Sequence, residues 1–126
     1  MMSFLDLDKL SSKLDGFADD GHWCLAKVTK RLLEITGDEP KIEYSPGQIS
    51  TPADPTPILQ ADLAAEAALC MALEQAIPIC EQQLDDATRN VFKHNIKIHR
   101  CHQAWLEAQL RLIKALGDSA YYGEQL

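Results

Sequence analysis

The chain is poor in aromatic residues, at 6%, and its β-branched residues are sparse beside its alanines and leucines. That balance argues against sheet and for helix. There is no basic stripe of useful length, and a formal net charge of -7 gives the surface a negative field, which speaks against a nucleic-acid partner. No apolar run is evident of the roughly 20 residues that cross a bilayer, so no membrane partner is expected. The opening MMSFLDLDKL lacks the basic, apolar and small-residue parts of a secretory signal, and the cytoplasm is the expected compartment. Internal repeats and ferredoxin-type cysteine spacings are also missing. In a reducing compartment Cys24, Cys70, Cys80 and Cys101 read as thiols or metal ligands ahead of structural disulfides.

What is present is an ordinary apolar fraction of 46% in 126 residues, enough for one domain over 1–126 and one core. Leu7, Leu10, Leu14, Phe17, Gly21, Cys24, Val28, Arg31 and Ile35 step three and four, which draws one seam on one helix face. Leu59, Leu63, Glu66, Cys70, Leu73, Ile77, Cys80 and Leu84 repeat the pattern. Phe92, His99, His102, Leu106, Leu110 and Ile113 draw a third stripe. Three helices are predicted, over about residues 4–36, 57–84 and 86–116, with a crossover linker over about 37–56 that holds four of the six prolines. Thr56 before Pro57 reads as the cap of the second helix and Asp86 as that of the third, with Gly37 and Gly117 as stops. Pro78 should bend the second helix without ending it. The YYGEQL tail reads as a short turn or a contact to another subunit.

If the second and third helices turn back near Leu84 and Asp85, residues equidistant from the turn lie side by side, since both rise about 1.5 Å per residue. Glu66 then faces His102, and Cys70 lies level with His99. Glu66, Cys70, His99 and His102 share about one turn of height, with Cys101 at that level on a neighbouring stripe. A carboxylate, a thiol and two imidazoles in an apolar seam are costly unless something compensates them, and a metal ion is the commonest remedy. The plainer readings are a buried cysteine acting as a small hydrophobe, and a Glu66 paired with Lys27, Arg31 or His102.

The run Ala61-Asp62-Leu63-Ala64-Ala65-Glu66, the segment from His102 through Trp105 and Gln109 to Ile113, and the ending Gly117 to Leu126 resemble the last two main helices and tail of the bacterioferritin family. Cys24 to Lys27, Arg31 to Leu33 and Gly37 are similar, less specifically, to its second helix. The resemblance implies an all-α, ferritin-like helical bundle. The family's di-iron site takes a Glu from each of two helices and a Glu-x-x-His from each of the other two. By the resemblance, Glu66 and His102 keep family ligands, whereas His99 and Gly21 stand where glutamates would, and Cys24 stands where a histidine would. The family's first helix has no counterpart.

Cys24, Glu66, His99 and His102 then remain as a four-ligand set for one iron, zinc or copper ion. Cys24, Cys70 and Cys101 with one histidine would alternatively suit an iron–sulfur cluster. His22 falls at the family's haem-ligating methionine, so a haem shared across a dimer is a further reading, beside that of an exposed pair with Trp23. The leading expectation is a metal-binding protein in iron or iron–sulfur handling. Its rivals are a metal-free interaction subunit that docks on a protein partner, and, ranked last for its lost carboxylates, a ferroxidase. Three helices leave one apolar seam open, which predicts closure by a homodimer, a higher homo-oligomer or a partner protein.

Overall fold

The computed structural model describes residues 8–38, 41 and 55–125. Four helices account for the regular structure among them: α1 (Asp8–Thr36), α2 (Pro55–Gln82), α3 (Asp86–Leu116) and α4 (Asp118–Gln125). The predicted start of the first helix near Phe4 and nearly all of the predicted linker lie outside the described residues.

Helix α3 is the hub, since α1, α2 and α4 all pack on it. One apolar cluster joins Leu10 of α1, Leu59 of α2, Leu106 and Ile113 of α3 and Tyr121 of α4. The early residues of α1 and α2 therefore meet the late residues of α3, and both helices run antiparallel to it. Leu10, Leu59, Leu106 and Tyr121 are fully buried, and each buried leucine contributes about 2 kcal/mol. Tyr121 donates its hydroxyl to Gln109 Oε1 at 3.0 Å, which satisfies the one polar atom it takes inside. Its burial pushes the phenol up to about 12. The tail, expected as a turn or a contact, is thus a two-turn helix that plugs the end of the bundle with a tyrosine.

The opposite end is the α2–α3 turn. Leu84 adopts φ +53°, the left-handed conformation that costs a residue with a Cβ about 1–2 kcal/mol. It is 87% exposed, so the last position of the predicted second seam lies outside the core. Asp85, one residue before the predicted cap, begins α3: its carboxylate accepts from Thr88 N at 3.1 Å and from Thr88 Oγ1 at 2.5 Å. Arg31 of α1 reaches across, donating through Nη2 to Asp85 Oδ1 at 3.0 Å and through Nε to Thr88 Oγ1 at 2.8 Å. One guanidinium thereby ties α1 to the hairpin turn. Hydrogen bonds from the Thr88 hydroxyl and amide, with Arg31 beside them, hold the Asp85 carboxyl below the usual carboxylate range. At the far end of α3, Gly117 takes φ +79° and donates its N–H to Ile113 O at 2.9 Å, as its place after the last apolar residue predicts.

Helix α2 begins at Pro55 and continues through Pro78 to Gln82, so Thr56 is inside the helix and not its cap. It also corrects the expectation about apolar length. By length and composition alone α2 is apolar enough to cross a membrane, and most of its apolar stretch is not buried among the described residues. Leu69, Met71 and Ile79 of α2 are exposed, as are Leu25, Leu32 and Ile35 of α1. Both helices thus carry apolar side chains into solvent.

Two outcomes follow from the turn. Leu84→Gly relieves the left-handed strain and should raise the unfolding free energy by about 0.5–1 kcal/mol in urea melts. Asp85 has a depressed folded pKa, so its stabilisation is complete above the unfolded value of about 3.9 and is lost as pH falls through the lower folded value. Asp85→Asn should accordingly flatten the fall of thermal stability below about pH 4.

Candidate metal centre

Between the tyrosine-plugged end and the arginine-tied turn, the seam becomes polar. Because α2 and α3 form the antiparallel hairpin predicted from spacing, Glu66 and His102, equidistant from Leu84 along the chain, stand at one height. Glu66 Oε1 lies 3.1 Å from His102 Nδ1, and Glu66 Oε2 lies 2.5 Å from His99 Nδ1. The two imidazoles meet edge to face, with ring centroids 5.5 Å apart at 89°. His99 and His102 are three residues apart on α3, which places them on one face. The side chains of Glu66, His99 and His102 are only 11%, 5% and 3% exposed. One ligand atom from each of the three lies within 4.8 Å of the others. Each nitrogen–oxygen contact requires either a hydrogen or a cation between its atoms, and a single ion facing all three donors replaces the hydrogens.

Helix α1 closes the third side. Asp20 Oδ2 lies 2.8 Å from His102 Nε2, and Phe17 stacks on the same imidazole at 4.0 Å with 19° between planes. Asp62, one turn before Glu66 on α2, is half-buried. Desolvation and the neighbouring Glu66 charge push its carboxyl up, against a smaller opposing effect of His102. Three carboxylates therefore surround the histidines, where the sequence pattern offered Glu66 alone.

The thiols divide. Cys24 and Cys70 are buried, each 3% exposed, and both lie within the field of Glu66. Burial pushes the Cys24 thiol up, with Asp20 and Glu66 adding to it. Burial also raises Cys70, opposed by Arg100 and reinforced by Glu66. They line the site, though their sulfurs fall outside the three-residue group. Cys101 faces solvent: at about 100° per residue it points away from the stripe that carries His99 and His102, and the three-thiol set considered for a cluster is not assembled. His22 is exposed on α1. Trp23 pairs instead with His94, at 5.1 Å between centroids, and with Lys27 Nζ at 5.0 Å. Buried Asn95, one turn before His99, donates Nδ2 to Cys24 O at 3.3 Å, while its Oδ1 has no partner among the described residues.

Asp20 and Asp62 are the site residues that seam-reading misses. Asp62 stands four before Glu66 and Asp20 four before Cys24, spacings that share a helix face, and that signal was available. At Gly21, where the family resemblance would place a glutamate, an added Cβ meets nothing within 4 Å.

Two nitrogens and one carboxylate, buried and convergent, match the ligand set of non-haem iron(II) sites with open positions. Residues 1–116 match the ferritin family, described as a ferritin-like domain. A bacterial ferritin of Neisseria meningitidis serogroup B is 36% identical over 97 residues, covering 76% of this chain and 62% of the relative. One from Pseudomonas aeruginosa is 32% identical over 100 residues, 79% of this chain and 63% of its own length. One from Synechocystis is 27% identical over 121 residues, 95% and 76% respectively. The chain thus spans less than two thirds of the Neisseria and Pseudomonas relatives, and no solved structure matches it. With its helices, its hairpin and the match over nearly its whole length in accord, the chain belongs to the ferritin family.

Proposed function

We propose that this ferritin-like chain binds one iron ion through Glu66, His99 Nδ1 and His102 Nδ1. The observation that carries the reading is the buried convergence of those three side chains within 4.8 Å. Without a cation the three side chains satisfy one another by hydrogen bonds, and a cation among them would meet the same three donor atoms. The relatives are named bacterial ferritins, which favours iron over the zinc or copper that the same donors would accept. An oxygen and two nitrogens suit a hard or borderline ion. Cys24 and Cys70, both held toward the protonated thiol, serve as the apolar wall of the site, and no sulfide is required. No haem role is proposed for His22. With Glu66 as the single carboxylate in the converging group, the reading is one of metal binding ahead of ferroxidase turnover.

Oxygen-free titration with Fe(II) is expected to saturate at one ion per chain, with no acid-labile sulfide in the purified protein. Glu66→Ala and His102→Ala should each weaken uptake by more than the roughly 10–100-fold that outer-shell changes cost. Full-affinity binding by both variants would sink the assignment.

Self-association completes the proposal. Exposed apolar residues on α1 and α2, among them Met71 and Ile79, offer surface that a second copy of the chain covers, consistent with the closed oligomers that symmetric association builds. Sedimentation should return a mass that is a multiple of the chain's, and Met71→Asp with Ile79→Asp should shift it toward the single chain. A monomeric wild type at tens of micromolar would count against it.

A further inference from the structure

His102 is the most enclosed ligand, and both of its ring nitrogens are engaged. Nδ1 faces Glu66 at 3.1 Å, and Nε2 faces Asp20 Oδ2 at 2.8 Å. Phe17 covers the ring face at 4.0 Å. Phe17 and Asp20 are three residues apart on α1, so one turn of that helix grips the imidazole by its face and by its edge. His99 is held differently: its hydrogen bonding among the described residues is through Nδ1 to Glu66.

A neutral imidazole carries one hydrogen, and which nitrogen carries it decides which lone pair can meet a cation. An ionised carboxylate only accepts. Glu66 and Asp20 both accept, so without a cation either nitrogen can carry the hydrogen. A cation beside Glu66 takes the Nδ1 lone pair, and the hydrogen then lies on Nε2, where Asp20 accepts it. We infer that Asp20 is a positioning residue for the metal centre: it fixes His102 in the Nε2–H form and in the ring orientation that points Nδ1 at the ion. The inference rests on the iron-site reading above. Asp20 acts through His102 and is not itself a ligand. Its side chain is 52% exposed, so it meets the buried ring from the solvent side of the bundle while Glu66 meets it from within. This arrangement supplies from another helix the outer carboxylate that orients metal-binding histidines and strengthens them as donors.

The test compares wild type, Asp20→Asn and Asp20→Ala by two readouts. Nitrogen-15 imidazole spectra of the protein loaded with Zn(II), a diamagnetic ion that the same donors accept, should show a protected His102 Nε2–H resonance in wild type. It should persist in Asp20→Asn, whose amide oxygen still accepts, and disappear in Asp20→Ala, with the His99 signals serving as the internal control. Fe(II) affinity should fall about 10–100-fold in Asp20→Ala and largely recover in Asp20→Asn. An unchanged His102 resonance in Asp20→Ala would overturn the inference. Equal losses of affinity in the Asn and Ala variants would also overturn it, since they would assign Asp20 a general charge effect. A wild type that takes up no Fe(II) would instead remove the iron reading, and the nitrogen spectra alone would then decide whether Asp20 sets the His102 tautomer.

Discussion

A carboxylate whose two oxygens are held by two imidazoles, in the middle of a seam otherwise built from leucine and alanine, sets the terms for the rest of this chain. Glu66 cannot move by a helical turn without losing both His99 and His102, so the register between α2 and α3 is fixed at the centre as well as at the turn. The apolar cluster on one side and the Arg31–Asp85–Thr88 tie on the other hold the helices at the spacing the polar contacts need. The polar group is clamped from both ends.

The clamps differ in kind. The Leu10, Leu59, Leu106 and Tyr121 cluster is non-directional and strong, scaling with buried area. The hairpin turn is directional, built from charge-assisted hydrogen bonds that shorten and orient. Between them α1 contributes Phe17 and Asp20 to a ring that belongs to α3. A helix that shares less contact with the hub than α2 does nevertheless holds one of the two imidazoles by its face and its edge.

Much of this was legible in the residues. The three-four periodicity located α1, α2 and α3, and equal distance from Leu84 paired Glu66 with His102 without any coordinates. What was not legible had local causes. Asp85 and Asp86 are both acceptable caps, and only the Thr88 contacts distinguish them. Cys101 shares the height of His99 and His102 on a neighbouring stripe, yet the helix turns that stripe to solvent, so shared height alone did not bring it to the site. Asp20 and Asp62 flank the seam without lying on its apolar steps, so a reading that followed hydrophobicity passed over them. The tail is too short for a periodic signal, and α4 owes its helix to the burial of Tyr121, a tertiary effect. The apolar length of α2 was hidden by its scatter of Gln and Glu, which a window average absorbs.

Gly21 has a different kind of consequence. Its backbone is helical and a Cβ there would touch nothing, so neither packing nor conformation demands glycine, and the helix is more pliant for having it. In evolutionary terms the position is unconstrained by the interior of the chain. A larger residue would stiffen α1 by about 0.5–1 kcal/mol, and its Cβ would meet nothing within 4 Å among the described residues. The pliancy of α1 at this turn, beside the Asp20 that meets His102, is therefore not forced by its neighbours.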